Sequence, residues 1–152
     1  MEMETPARAE RPLAVLPCAC ANLRRAARAV TRMYNQHLQK TGLELTQYTL
    51  LMALSITGET TQGDLGRLLA LDTTTLTRML KPLIKHGWIG TKPGEDRRQR
   101  LLRLSRSGRR KLQQTQPHWE RAQQQLRKAL GEPTWSQLGP LLTGVAGVSV
   151  EG

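Results

Sequence analysis

The side chains best suited to chemistry in this sequence form two neighbouring basic groups and one pair of thiols. The first group is Thr74, Thr75, Thr77, Arg78, Lys81 and Lys85, interleaved with Leu76, Leu80, Leu83 and Ile84. The apolar members fall at i, i+4, i+7 and i+8, so one helix face is apolar and the opposite face carries hydroxyls and cations. Threonine hydroxyls and methyls suit base edges and phosphates, and an arginine fork suits a bidentate contact to guanine. Thr74, Thr75, Thr77 and Arg78 are therefore the candidate base-reading residues. Lys81 and Lys85, farther along, are candidate phosphate contacts, which add affinity without sequence information.

The second group follows at once. Trp88 to Thr91 reads as a short strand, Lys92 to Arg98 as a turn around Pro93-Gly94, and Arg100 to Leu104 as a returning strand. This hairpin gathers Lys92, Arg97, Arg98, Arg100 and Arg103. Arginines on a thin loop can enter the narrow minor groove of duplex DNA, where the negative potential is enhanced. Asp96 is acidic in a basic loop, and its position two residues before Arg98 suggests that it pairs with that guanidinium and sets the loop's shape. Taken singly, a threonine-rich helix face or an arginine cluster is often only a solvated surface. Adjacent and in this order, they describe a helix for the major groove and a wing beside it.

The thiols are Cys18 and Cys20, the only cysteines in the chain. On a helix they point roughly 200° apart, so bridging them would require that turn to unwind. His37, His86 and His118 are scattered, and no zinc-ligand spacing, nucleophile–base pair or glycine-rich phosphate loop occurs. No metal, cofactor or enzymatic activity is expected.

These groups must be positioned by a chain of 152 residues, enough for one sizeable core. Lysine and arginine number 23 against 12 acidic residues, a net charge of +11 that suits a polyanionic partner. No apolar run is long enough to span a membrane, and Glu2, Glu4 and Glu10 occupy the region where a secretion signal would be basic, so a cytoplasmic protein is expected.

Cys20, Leu23, Ala27, Val30, Tyr34 and Leu38 recur at helical steps, with Pro17 suited to the first turn and Gly42 to the C-terminal cap. Arg24, Arg28 and Arg32 then lie on a solvated face. Thr46 precedes a short apolar helix and Thr61 opens another, while Asp72 or Thr73 can cap the helix that bears the threonines. Pro82 should bend that helix without breaking it. Ser105 can cap a long helix through Leu130, and a last apolar segment runs from Trp135 to Val148, with Pro117 and Pro140 expected to kink these two. The fold class is mainly α with a small β-hairpin: a winged helix-turn-helix flanked by terminal helices.

The run from Asp72 to Leu83, Gly87-Trp88-Ile89, Asp96-Arg97-Arg98, and Leu104-Ser105 with Gly108 resembles the MarR family of bacterial regulators over roughly residues 18 to 148. Gly66 and Ser105 stand where that family usually has alanine and threonine. The resemblance implies a homodimer whose recognition helices and wings enter successive grooves of a pseudo-palindrome in double-stranded DNA. It divides the chain into an N-terminal arm (1–15), a first dimerisation helix (16–45), the DNA-binding region (46–104) and C-terminal dimerisation helices (105–152).

Many members are repressors released by a small aromatic ligand, and one branch senses organic hydroperoxides through a cysteine near the start of the first helix. Cys20, Tyr34 and Leu45-Thr46-Gln47-Tyr48 resemble that branch, although Leu45 replaces the second of its two partner tyrosines. A tyrosine hydroxyl can hydrogen-bond a thiolate, the form that peroxide oxidises. Cys20, with Cys18 beside it, is thus a candidate redox sensor, and the plain alternative is a small buried side chain. The alternative to a site-specific regulator is a non-specific architectural DNA binder, for which charge would suffice. Similar affinity for every duplex would distinguish it.

Overall fold

A computed structural model describes residues 14–148. The first helix, α1 (Ala19–Leu38), ends in a short 3-10 turn and Gly42 in the left-handed region. There follow α2 (Leu45–Thr57), β1 (Thr60–Thr61), α3 (Gln62–Leu69), α4 (Thr73–Lys85), β2 (Ile89–Pro93), β3 (Arg100–Leu104), α5 (Arg106–Leu130) and α6 (Glu132–Val148). The fold is mainly helical, with one small antiparallel sheet in the order β1-β3-β2. Among the described residues no helix is long and apolar enough to cross a membrane, and no cluster of three potential metal ligands occurs.

The hairpin expected from the sequence is present, paired Ile89 to Leu104 through Pro93 to Arg100. The third strand was not anticipated. It consists only of Thr60 and Thr61 set against Leu102 and Leu101, too short to show any alternation.

Two helix starts differ from expectation. Pro17 lies outside α1, whose N-cap is Cys18, the thiol accepting from the Ala21 amide at 3.5 Å. Helix α2 begins not at Thr46 but after Glu44, whose amide donates to the Gln47 side-chain oxygen at 3.0 Å. A glutamine three residues into a helix reaches back to the cap amide, half of a capping box, and this outranks the threonine signal. Thr61, Asp72 and Ser105 cap their helices as expected, each side chain accepting from the amide three residues on. Helix α4 runs through Pro82, and α5 and α6 run through Pro117 and Pro140, without interruption.

The core lies under the central helices and sheet and is built largely of leucine. Leu51 and Leu54 of α2, Leu65 of α3, Leu76, Leu80 and Leu83 of α4, and Leu102 of β3 are all buried. Helix α5 packs on it through Leu112 and Trp119, the latter ring 5.8 Å from that of Tyr48. Toward the chain ends the cover runs out. Of the apolar face expected on α1, Tyr34 and Leu38 are buried, whereas Cys20 and Leu23 are exposed. Leu141, Leu142 and Val145 of α6 are exposed as well. The expected arm falls outside the described residues for positions 1–13; beyond it, Ala14 accepts a hydrogen bond from Arg25 and Leu16 bonds the Asn22 amide group through both its backbone groups.

The end of α4, the base of the hairpin and the start of α5 meet at one knot. The Trp88 carbonyl accepts from the Ser105 amide at 3.0 Å, the Ser105 hydroxyl lies 2.5 Å from the Gly87 carbonyl and 3.0 Å from that of Trp88, and the Ser107 hydroxyl donates to the Gly87 carbonyl at 2.9 Å. Gly108 sits directly beneath this knot, where a Cβ would collide with the Trp88 carbonyl and the Leu104 side chain. Gly108→Ala is therefore expected to lower stability by about 1–3 kcal/mol, the range for overpacking a tight site. A reduced urea midpoint at unchanged slope would show it, and a wild-type midpoint would contradict the packing described.

Candidate nucleic-acid interface

Helix α3 ends on Ala70 in the left-handed region, and the Leu71 amide returns to the Gly66 carbonyl at 2.8 Å. Gly66 allows this close return, because a Cβ there would stand 3.0 Å from the Leu71 carbonyl oxygen. The chain then enters α4 through Asp72. One carboxylate oxygen accepts from the Thr75 amide at 2.8 Å and the other from the Thr75 hydroxyl at 2.9 Å. These bonds hold the Asp72 carboxyl below its ordinary range, the backbone bond contributing most.

The proposed readers of DNA accordingly separate. Thr74, Thr77, Arg78, Lys81 and Lys85 are exposed along one face of α4. Thr75 is half-buried and its hydroxyl hydrogen is committed to the cap. Thr77 accepts a hydrogen bond at 2.8 Å from the side-chain amide of Gln62, the first residue of α3. Gln62 was not singled out in the sequence. Its contact spans fifteen residues and depends on how α3 crosses α4, which no local pattern announces.

The wing presents Arg97, Arg98 and Arg100 to solvent. Asp96 shapes its turn by a route other than the expected one. Its carboxylate accepts from the Arg98 amide at 3.0 Å, not from the guanidinium, and its carbonyl accepts from the Gln99 amide at 2.8 Å. A short acidic side chain reaches the amide two residues on more readily than the end of a long one, as in an Asx turn. Lys92 is tied to Glu59 at 2.9 Å, which joins the hairpin to the segment before β1 and neutralises one charge of the basic group.

Between the α3–α4 turn and the wing lies an open cleft of about 1060 Å³. Gln62, Thr77, Arg98 and Arg100 all line it, so α3, α4 and the hairpin contribute to one concavity with positive charge on its rim. Thr74, Arg78, Lys81, Lys85 and Arg97 are not part of its lining.

The candidate sensing residues do not converge within one chain. Cys18 and Cys20 are free and exposed in the first turn of α1. Tyr34 is fourteen residues farther along the same helix, about 21 Å at 1.5 Å per residue. It is buried, which raises its phenol above the ordinary value, and its hydroxyl donates to Gln123 of α5. A second cavity, of about 650 Å³, lies between α5 and α6 and is lined by Trp119, Trp135, Arg121 and Arg127.

Residues 43–99 match the MarR family profile. The chain is 29% identical over 92 residues to the HTH-type transcriptional regulator YwoH of Bacillus subtilis, covering 60% of this chain and 67% of YwoH. Among solved structures it is similar to the M. tuberculosis regulator MosR in complex with DNA, with a TM-score of 0.78 and 29% identity over 87% of this chain and 96% of that one. It is also similar to a mutant of E. coli MarR in complex with operator DNA, with a TM-score of 0.74 and 25% identity over 83% of this chain and 91% of that one.

Because folding lowers the Asp72 carboxyl, its stabilising effect is complete above the ordinary carboxylate range and is lost as pH falls through the depressed value. Asp64, lowered by Thr61 and Arg67, acts in the same direction at the start of α3. Asp72→Asn should therefore make the acid-side loss of stability shallower without abolishing it. Urea midpoints followed from neutral to acid pH would measure this, and parallel curves for wild type and variant would refute it.

Proposed function

The chain belongs to the MarR family of transcriptional regulators, and from that premise we propose that it is a site-specific repressor binding duplex DNA as a homodimer in the cytoplasm. The observation that carries this reading is the shared cleft: Thr77 of α4 and Arg98 and Arg100 of the wing line one concavity, while Arg78, Lys81 and Lys85 are exposed on α4 outside it. Helix α4 enters the major groove, where Thr74, Thr77 and Arg78 meet base edges while Lys81 and Lys85 meet phosphates. Arg97, Arg98 and Arg100 follow the adjacent minor groove, with Asp96 holding the turn. The DNA-bound MosR and MarR relatives support the choice of partner.

Residues 46–104 form the DNA-binding region, flanked by dimerisation segments at 16–45 and 105–152. The uncovered apolar residues of α1 and α6 support that division, since Leu23, Leu141, Leu142 and Val145 are exposed on a single chain. Two such protomers would place their recognition helices about one DNA turn apart, roughly 34 Å, on a pseudo-palindrome.

Release follows from oxidation at Cys20 or from a small aromatic ligand. Exposure of both thiols at the start of α1 supports the first route. If Tyr34 is to assist, it must reach Cys20 from the second protomer and give up its bond to Gln123, because within one chain the two are far apart. The indoles of Trp119 and Trp135 at the cavity between α5 and α6 support the second route.

Fluorescence anisotropy of the reduced protein on its own upstream intergenic DNA and on a scrambled duplex tests the reading, which expects a preference of at least about 10³-fold. Equal affinity for the two duplexes would instead favour an architectural binder. Arg98→Ala is expected to weaken operator binding and to flatten the log–log salt dependence by about one unit. An unchanged slope would remove the wing from the interface. Brief exposure to an organic hydroperoxide should release the wild type, reversibly by thiol, and leave Cys20→Ser bound; a variant that still dissociates would exclude Cys20 as the sensor.

A further inference from the structure

We propose that Gln62 is a specificity-determining residue that orients the Thr77 hydroxyl so that the recognition helix presents a hydrogen-bond donor at that position, selecting base edges that accept. The inference rests on the reading of α4 as the base-contacting helix and deepens it.

A threonine hydroxyl has one hydrogen and two lone pairs. The amide nitrogen of Gln62 can only donate, so at 2.8 Å the Thr77 oxygen is the acceptor. Some helical threonines of this protein spend their hydrogen on acceptors within it. Thr49 donates to the Leu45 carbonyl at 2.9 Å and Thr115 to the Lys111 carbonyl at 2.8 Å, each one turn back along its own helix. Thr75 donates to Asp72. Among the described residues Thr77 makes no such back-bond and hydrogen-bonds only Gln62, which leaves its hydrogen to be directed outward on an exposed face beside the cleft that Arg98 and Arg100 line.

In a closed protein–DNA interface that hydrogen needs an acceptor. Guanine N7 and O6, adenine N7 and thymine O4 supply one in the major groove, whereas cytosine offers only its N4 donor. Accepting from a base donor would fill the second lone pair and strand the hydroxyl hydrogen without a partner, which is the costly arrangement. Accepting from Gln62 also polarises the hydroxyl and strengthens it as a donor. Gln62 thus acts through Thr77 as a positioning residue.

The experiment is selection from a duplex library of random sequence by wild type, Gln62→Leu, Gln62→Glu and Thr77→Val, with relative base preferences read by sequencing and the fold of each variant checked by circular dichroism. Wild type should show one base pair per half-site preferring an acceptor edge. Without its partner in Gln62→Leu, Thr77 can back-bond to its own helix, and that preference should relax about tenfold, the cost of one poorly matched pair, with the other positions unchanged. Thr77→Val should lose the same preference. Gln62→Glu, whose carboxylate accepts, draws the Thr77 hydrogen to itself and should shift the preference toward donor edges while lowering affinity for all sequences.

A Gln62→Leu profile identical to wild type, with Thr77→Val altered, would overturn the proposal while leaving base reading by α4 intact. So would a uniform loss of affinity with unchanged preferences, which marks a purely structural role. Absence of any sequence preference in the wild type would overturn both the proposal and the reading beneath it.

Discussion

The Trp88 carbonyl is the point on which the geometry of the DNA-binding face depends. It receives the amide of Ser105, whose hydroxyl spans the carbonyls of Gly87 and Trp88, while the Trp88 amide returns to the Leu83 carbonyl near the end of α4. The recognition helix, the first wing strand and the long helix α5 are thereby fastened within one turn of chain. Lys111 of α5 stands over one indole and bonds the Thr41 carbonyl, and His86 stacks on the same ring at 4.4 Å. The same knot thus connects the DNA-binding face to the end of α1. Hydrogen bonds to the Gly87 and Trp88 carbonyls and the Trp88 amide tie the end of α4, the hairpin base and the start of α5 to one another. Ser105 serves this purpose where a threonine is usual in the family, because only the hydroxyl is needed.

The protein's charge is distributed rather than merely abundant. Arg67 pairs with Asp64, Arg127 with Glu132 and Lys92 with Glu59, so several cations act locally on helix ends and hairpin position. All three pairs are solvent-exposed, and such pairs contribute little to stability. Their effect is to remove charge from some places and leave it at others. Among the described residues, Arg78, Lys81 and Lys85 on α4 and Arg97, Arg98 and Arg100 on the wing have no such pair and face solvent.

The apolar surfaces at the two ends of the chain make the complementary case. A leucine core closes beneath α2, α3, α4 and the sheet, yet α6 covers almost nothing with its own leucines and valines. An apolar helix held in water is a poor arrangement for a lone chain. Through Lys111 and Trp88, α5 and the turn after α1 are joined by packing and hydrogen bonds to the end of α4.

What the sequence determined by itself was whatever depends on residues a few positions apart. The period of Leu76, Leu80 and Leu83 set the buried face of α4, the caps at Thr61, Asp72 and Ser105 set three helix starts, and the turn residues around Pro93-Gly94 set the hairpin. Local rules competed at the start of α2, where the Gln47 side chain prevailed over Thr46. Tertiary structure decided everything that requires two distant segments to meet. It added the two-residue strand β1 to the sheet and tied Lys92 to Glu59. It also sorted the threonines of α4: Thr75 into the cap, Thr77 onto Gln62, and Thr73 and Thr74 exposed. Periodicity assigns a residue to a face, but the direction of its hydroxyl hydrogen depends on its neighbours in space, and those are fixed only when the helices cross.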